Sequence, residues 1–200
     1  RKSVVGKPCI AVDFELEGKS MVCAGYVIYG SSTMFVFATS RSVIGFTLDP
    51  SIGDFYLSHP NIQCPQNGSI YSVNQGNYYH YSAGIKKYLA HIQQKTRERE
   101  STYTQRHVAS MVADLHRNLI KGGVFLNPAT SAFPNGKLRL IYECNPWAFI
   151  FEVAGGKATD GNKRILDITF KHIHQRTPLC IGSSSMMQEL KVYREEKNNE

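Results

Sequence analysis

Three β-prone segments within residues 20–57 constrain the fold of this chain more than any other feature. Their sequences, MVCAGYVIYG, STMFVFATS and VIGFTLD, are rich in β-branched and aromatic residues. Only Gly, Ser and Asp-Pro breaks separate them, and DPSIGDFYL adds a turn and a further short strand. Strand-forming segments that follow one another across turn residues predict an antiparallel β-meander.

Beyond residue 70 the pattern changes to strands that alternate with helices. Apolar residues at helical spacing predict helices over 82–94 and 107–121, and a serine cap at Ser184 or Ser185 predicts a closing helix. Short strands are predicted in GVFLNP, RILDITF and PLCIGS. The alternation predicts an α/β layer. The stretch SHPNIQCPQNGSI, with two prolines and an Asn-Gly, is the expected domain boundary.

The stretch GKLRLIYECNPWAF, residues 136–149, predicts a strand that runs into a helix capped by Asn145. Because strand side chains alternate between faces, Lys137, Arg139 and Glu143 would share one face over ~20 Å. Such a face suits a ligand with two separated anionic groups. A Mg²⁺ ion between Glu143 and a phosphate would offset the repulsion between them. A solvated edge strand with alternating charges explains the same spacing.

Composition narrows the classes of partner. The net charge is +7 and the pI about 9.2, which indicates an anionic partner. The charges are dispersed, and the absence of a basic stripe with interleaved aromatic residues favours phosphorylated metabolites over nucleic acid. The apolar runs are too short for a membrane span. The five cysteines are scattered without a CxxC pair, which argues against disulfides and structural zinc and for a reducing compartment.

Three further patterns have ordinary explanations. His172 and His174 form an H-x-H pair, which is more typical of surface histidines than of a metal site. Asp114 and Arg117 stand three apart on a predicted helix, the spacing of a helix-stabilising ion pair. The aromatic residues of the helix after the charged strand are most simply core: Trp147, Phe149 and Phe151.

The segment GKLRLIYECNPWAFIFEVAGGKATDG closely resembles the C-terminal signature of class I fructose-1,6-bisphosphatases. The likeness continues in order through AGYVIYGSSTMFVF, GFTLDPSIGDFYL, YSVNQGNY, RHVASMVADLHRNLIKGGVFL and ILDI…HQRTPLCIGS, over about residues 20–195. The resemblance implies an α/β fold. A layered sheet-and-helix sugar-phosphate domain over 63–200 would follow an antiparallel β-meander, within 1–62, from the end of the first domain.

The resemblance also implies a function. Such enzymes hydrolyse the 1-phosphate of fructose 1,6-bisphosphate with Mg²⁺ or Mn²⁺, as homo-oligomers that are often tetramers, in the cytoplasm or the plastid stroma. The family's acidic metal motif precedes the region covered here, and LDPSIGD matches a different segment. Most metal ligands are therefore expected upstream of Arg1, and the chain alone is expected to be inactive. The alternative is a non-catalytic homologue that binds sugar phosphates or partner subunits.

Residue by residue, the resemblance assigns roles to the charged strand and its surroundings. Glu143 matches a metal ligand, Arg139 a catalytic residue near the 1-phosphate, and Lys137 a contact to the sugar and the 6-phosphate. Arg106 matches an arginine that reaches the 6-phosphate in a neighbouring subunit. The other residues expected around the sugar and the 6-phosphate are Asn74, Asn77, His107, Ser110, Met111 and Asn127.

Several of these positions depart from the family pattern. His107 and Asn127 stand where tyrosines are common, and so does Asn77, although asparagine occurs there in some members. Ala109 replaces a usual glycine close to the sugar, and Trp147 replaces a methionine. Loss of tyrosine hydroxyl groups is expected to weaken 6-phosphate binding by about a decade or more. The charge of a protonated His107 would offset part of that loss.

Overall fold

The computed structural model describes residues 6–8, 10–98 and 102–195, so Cys9 lies outside the described residues. The first part is a four-stranded sheet in the order β1-β2-β3-β4 with every neighbouring pair antiparallel. This confirms the predicted meander. Its strands are β1 Cys23–Ile28, β2 Met34–Thr39, β3 Val43–Asp49 and β4 Asp54–His59.

The second part combines helices with a mixed sheet. Its strands are β5 Ile70–Val73, β6 Thr104–Gln105, β7 Val124–Asn127, β8 Leu138–Arg139, β9 Lys157–Thr159, β10 Arg176–Thr177 and β11 Leu179–Gly182. Its helices are α1 Ala83–Arg97, α2 Met111–Lys121, α3 Asn145–Val153 and α4 Ser184–Glu195. The sheet has the order β6-β5-β7-β11-β9, in which β5 is parallel to β6 and β7 and the other pairs are antiparallel. The predicted α/β class is confirmed.

The mixed sheet is buried on both faces. Val124 and Leu126 of β7 pack with residues of α1 and α4, whereas Phe125 between them packs with α2 and α3. Val36 and Ala38, on the inner face of the meander, belong to the same core as Phe125. Helices α2 and α3 therefore lie between the two sheets. The aromatic residues of α3 are buried as predicted.

The predicted strand over residues 137–143 is wrong beyond Arg139. Strand β8 has two residues, paired with β10, and Leu140–Cys144 form one π-helical turn in which the Asn145 N–H bonds to the Leu140 carbonyl. Leu140 and Cys144 are both buried, while Tyr142 is half exposed. The buried residues are therefore four apart, as in a helix, and not two apart, as in a strand. Asn145 has helical backbone angles, so its prediction as the helix cap is also wrong.

Two other boundaries differ from the sequence prediction. Helix α2 begins at Met111 rather than at His107, because Ala109 has a φ of 63°, which an α-helix does not accommodate. The predicted strand RILDITF is a 3₁₀ turn over Ile165–Asp167, with a single bridge from Arg164. Arg164 is held there by ion pairs to Glu152 and Asp167.

No helix within the described ranges is long and apolar enough to span a membrane. The four cysteines in the same ranges form no disulfide. Cys23 is exposed, and the remaining three are buried: Cys64, Cys144 and Cys180.

The contact between the meander and α2 makes a testable prediction for stability. His116 of α2 is joined by a 2.8 Å hydrogen bond to the Tyr26 hydroxyl, and burial, followed by the charge of His59, lowers the pKa of His116 from 6.5. The unfolded chain then binds the proton more readily than the folded one, so stability is full above about pH 6.5 and falls below it. We expect the free energy of unfolding, measured by urea titration, to change little between about pH 7.5 and about pH 6.5 and to decline from there to about pH 5.5. His116→Gln keeps an acceptor for Tyr26 and should flatten this decline; equal slopes would contradict the assignment.

Candidate functional site

A cavity of about 210 Å³ lies at the carboxyl ends of β5 and β7. Asn74 directly follows β5, and Asn127 is the last residue of β7. Because these strands are parallel, their ends meet at one edge of the sheet, where ligands bind in open α/β folds. Six residues that the resemblance singled out line the cavity: Asn74, Asn77, His107, Met111, Asn127 and Lys137.

The lining of this cavity suits an anion. No Asp or Glu occurs among the described residues that line it, whereas Lys137 and His107 supply basic groups. Three asparagine side chains add amide donors. The Lys137 ammonium lies 4.3 Å from the centre of the Phe133 ring, a cation–π contact. An incoming phosphate would therefore find a cation already placed on the cavity wall.

Tyr81 is a cavity residue that the sequence reasoning missed. It is buried, its hydroxyl donates a 2.6 Å hydrogen bond to the Asn74 carbonyl, and burial raises the pKa of Tyr81. The Asn74 side chain in turn accepts from the Gly76 N–H at 3.0 Å. These bonds fix the turn after β5. Thr130 and Phe133 also line the cavity and were missed as well, since no prediction was made from the sequence for the stretch around them.

Two predicted residues border the cavity without lining it. Arg106 is exposed, its backbone N–H donates to the Tyr71 carbonyl at 3.0 Å, and its carbonyl accepts from Arg117 at 3.0 Å. Ser110 is the residue before α2, and its side chain makes no capping bond there. The structure therefore brings six of the eight predicted sugar- and 6-phosphate-binding residues together and leaves these two on the adjoining loop.

Arg139 and Glu143 form a separate group next to the cavity. The π-helical turn folds Glu143 back, so that its Oε2 accepts from the Arg139 backbone N–H at 2.6 Å. Four residues of strand would have held them ~13 Å apart. The Arg139 guanidinium lies 3.4 Å from the His174 carbonyl. The three charged residues are therefore not spread along one strand face as predicted. Lys137 lines the cavity, whereas Glu143 lies in the π-helical turn before α3 and contacts Arg139.

A metal centre needs more than the described residues provide. Among them, no group of three or more His, Cys, Asp or Glu side chains is placed to hold an ion. His172 and His174 are exposed, and the His174 Nδ1 is hydrogen-bonded to the Tyr142 hydroxyl at 3.1 Å. Glu143 brings one carboxylate beside Arg139, which suffices for one ligand of an ion and not for a site.

A larger cavity, of about 980 Å³, lies elsewhere between α4 and the turn after β9. None of the site residues predicted from the sequence lines this larger cavity. The larger cavity is also lined by polar side chains, among them Lys157, Lys163 and Arg164. The smaller cavity is the better candidate, because size alone does not select a ligand and the residues that the resemblance assigned to ligand binding line the smaller one.

Comparison with known proteins gives consistent results for the two parts of the chain. A family model described as "Fructose-1-6-bisphosphatase, C-terminal domain" matches residues 64–195, and one described as "Fructose-1-6-bisphosphatase, N-terminal domain" matches residues 1–60. Among solved structures, Leishmania major fructose-1,6-bisphosphatase in holo form is similar, with 43% identity and a TM-score of 0.87. That match covers 92% of this chain and 56% of the Leishmania chain.

Two further Leishmania major structures agree. The T-state structure has 44% identity and a TM-score of 0.87, over 90% of this chain and 56% of that one. The apo structure has 43% identity and a TM-score of 0.87, over 91% of this chain and 58% of that one. The chain thus spans little more than half the length of these relatives. With both domain models matched and the fold shared, the chain belongs to the fructose-1,6-bisphosphatase family, of which it covers the C-terminal domain and the end of the N-terminal domain.

Proposed function

We propose that this chain is the C-terminal portion of a fructose-1,6-bisphosphatase, which removes the 1-phosphate of fructose 1,6-bisphosphate in carbohydrate metabolism. The observation that carries the proposal is the cavity at the ends of β5 and β7. Six residues expected from the family line it, and no carboxylate of the described residues does. A sugar phosphate fits this chemistry, because amides and an ammonium group can hold both hydroxyl and phosphate oxygens.

In this proposal, the role of each residue follows from its position relative to the cavity. Lys137 and the asparagine side chains hold the sugar and its 6-phosphate, with Ser110 and Met111 alongside. Arg139, just beyond the cavity, meets the 1-phosphate with its planar guanidinium. Glu143 lies beside Arg139 and holds one side of a metal ion. Arg106 is exposed, which would let it reach a neighbouring subunit of a tetramer.

Mg²⁺ or Mn²⁺ at such a phosphate supplies charge neutralisation and activation of water. The described residues do not complete a site for the ion by themselves, since Glu143 is a single carboxylate and Mg²⁺ is usually bound by one or two carboxylates together with substrate phosphate oxygens and water. The remaining ligands are proposed to come from outside the described residues. What the present residues contribute is orientation: the backbone N–H of Arg139 donates to the Glu143 carboxylate and fixes its position before α3.

Phosphate release tests the activity. It should be measured with fructose 1,6-bisphosphate and Mg²⁺ on the 200-residue chain and on the longest protein that its gene encodes. The longer protein should release one phosphate and leave fructose 6-phosphate, and the 200-residue chain should release little or none. If the longer protein is inactive with both Mg²⁺ and Mn²⁺, the enzymatic proposal fails.

A non-catalytic role is the second candidate, and the departures from the family pattern at His107, Ala109 and Asn127, all of which line the cavity, favour it. In that case the cavity binds a sugar phosphate for assembly or regulation. Calorimetry separates the two: binding of fructose 1,6-bisphosphate by a protein that never turns it over supports the second candidate. Absence of binding at millimolar ligand removes both roles for the cavity.

Lys137→Met should weaken binding of fructose 1,6-bisphosphate about 10- to 100-fold, because one charge-assisted hydrogen bond is worth ~1.5–3 kcal/mol. Calorimetry on the 200-residue chain measures this directly. Lys171→Met is the matched control, since Lys171 is an exposed lysine that lines neither the candidate cavity nor the larger one, and it should leave the affinity unchanged. Equal losses in both variants would mean that only overall charge attracts the ligand.

The oligomeric state and the compartment are also proposed, from the resemblance to the family. We expect a homotetramer in the cytoplasm, with the plastid stroma as the other compartment in which the family acts. The division into residues 1–62 and 63–200 is likewise a proposal. Sedimentation at micromolar concentration checks the oligomeric state.

A further inference from the structure

The larger cavity, of about 980 Å³, is lined by elements that the proposed function does not use. Strand β9 and the turn after it supply Lys157 and Lys163. Helix α4 supplies Lys191, and the start of α1 adds Ser82 and Gly84. Basic side chains therefore reach this cavity from two elements that are far apart in the sequence.

The inner surface of the larger cavity is apolar. Ala158 of β9 lines it together with Met187 and Leu190 of α4, and these side chains are only 1% to 4% exposed. The three lysines, by contrast, are exposed. An apolar base with a few polar groups around it is the usual composition of a small-molecule site, and the volume is large enough for an organic ligand.

The charge of the larger cavity is positive. Glu152 is the one acidic residue among the described residues that line it, and Arg164 neutralises it through hydrogen bonds of 2.6, 2.9 and 3.0 Å. Asp160 lies in the adjacent turn, where its Oδ1 accepts from the backbone N–H groups of Asn162 and Lys163. With Glu152 and Arg164 paired, the three lysines leave the lining positive, which suits an anion.

Lys157 has a neutral partner that an anion can replace. Its ammonium group donates to the Gln188 amide oxygen of α4 at 3.4 Å. A hydrogen bond of this length is weak, and a phosphate oxygen is a stronger acceptor for an ammonium group. The contact also places the Lys157 side chain towards α4, on the side where the cavity lies.

The turn that carries Lys163 is held by its own hydrogen bonds. The Thr159 hydroxyl donates to the Lys163 carbonyl at 2.7 Å and accepts from the Gly161 N–H at 2.9 Å. A bridge between Thr159 and Arg164 closes the turn. The backbone on this side of the cavity is therefore formed before a ligand arrives, which lowers the ordering cost of binding.

We propose that the larger cavity binds a small organic phosphate, at a site separate from the cavity at the ends of β5 and β7. Lys157, Lys163 and Lys191 contact the phosphate as mobile point charges, and the carbon skeleton packs on Met187 and Leu190. The inference does not rest on the proposed function, because none of the residues assigned to fructose 1,6-bisphosphate lines the larger cavity.

Protection of individual lysines from acetylation tests this site. The 200-residue chain is treated with acetic anhydride with and without phenyl phosphate, a phosphate joined to an apolar ring, and the rate at each lysine is measured by mass spectrometry. At about ten times its Kd, phenyl phosphate should slow acetylation of Lys157 and Lys163 about tenfold. Lys171 is exposed outside both cavities and should react at an unchanged rate. Lys137 reports separately on the smaller cavity.

Two comparisons resolve the charged and apolar parts of the site. Lys163→Met should raise the Kd obtained from protection of Lys157 about three- to fivefold, the value of one partly exposed ion pair, whereas Lys171→Met should leave it unchanged. Inorganic phosphate should protect Lys157 with a Kd about fivefold higher or more, because it buries no apolar surface. Phenol, which has no charge, should not protect it.

The contrary outcomes are specific. Absence of protection at Lys157 and Lys163 with millimolar phenyl phosphate overturns the inference. Equal protection of Lys171 does the same, since it would mean that only overall charge attracts the probe. Protection confined to Lys137 also overturns it and leaves the proposed function standing. Inorganic phosphate that protects as well as phenyl phosphate would overturn the assignment of an organic ligand.

Discussion

Glu143→Gln should lower phosphate release from fructose 1,6-bisphosphate by about 100-fold or more in the protein that releases it. Metal-assisted stabilisation of a phosphoryl transition state is worth several kcal/mol, and each ~1.4 kcal/mol is a factor of ten. Glutamine keeps an oxygen that can accept from the Arg139 N–H, the bond that joins these residues at 2.6 Å. The substitution therefore removes charge and leaves the local fold in place.

Glu152→Gln provides the matched control for this experiment. Glu152 lies further along α3, pairs with Arg164 and lines neither the candidate cavity nor its surroundings at Arg139. It should leave turnover within about twofold, because loss of one partly exposed ion pair affects stability by less than about 1 kcal/mol. Turnover that survives Glu143→Gln to the same extent would remove the metal role of Glu143. A parallel loss of apparent Mg²⁺ affinity in Glu143→Gln would support it.

The meander could be predicted from sequence because its signal is local. In β2 the buried residues are Met34, Val36 and Ala38, and the residues between them are only partly buried. This period-two pattern identifies a strand before any neighbour is known. Because only short turns connect the strands, each strand pairs most simply with the next in an antiparallel arrangement. Helix α1 was predictable because its signal is local as well: its apolar residues recur at helical spacing, and the Ser82 side chain accepts from the Ile85 N–H at its start.

The turn at residues 140–144 could not be predicted, because its cause is not local. Leu140 and Tyr142 have strand-like alternation with charged neighbours, and the sequence therefore predicted a strand. In the fold, β10 offers only two residues for pairing, and the core takes Leu140 and Cys144, four apart. Tertiary burial overrides the local pattern, and the resulting π-helical turn brings Glu143 back to Arg139.

The cavity was predictable in part. Its asparagines came from the family resemblance, because periodicity has nothing to say about single polar residues at strand ends, whereas strand alternation had already singled out Lys137. Phe133 and Tyr81 were missed, since loop and 3₁₀ geometry set their directions. The spacing of Asp114 and Arg117 indicated a helix pair, but it held no sign that Asp114 also accepts from the preceding loop.

Gly136→Ala should cost about 3 kcal/mol or more of unfolding free energy. Gly136 is buried with a φ of +74°, and an added Cβ would overlap the backbone of Thr177 and Pro178. The left-handed conformation costs ~1–2 kcal/mol for alanine, and overpacking against atoms that cannot rotate away adds ~1–3 kcal/mol. Urea denaturation measures the sum. Thr177 pairs with Leu138, so any relief of the clash displaces β8 and with it the adjacent Lys137.

Gly155→Ala isolates the contribution of the clash. Gly155 also has a positive φ, +91°, but no atom lies within 4 Å of a Cβ built there. It should therefore lose only the conformational part, ~1–2 kcal/mol, and keep its affinity for fructose 1,6-bisphosphate. Gly136→Ala should lose more stability and also bind the ligand more weakly. Equal losses of stability with unchanged binding in both variants would mean that the Thr177–Pro178 backbone yields without moving β8, and that Lys137 is not held by this contact.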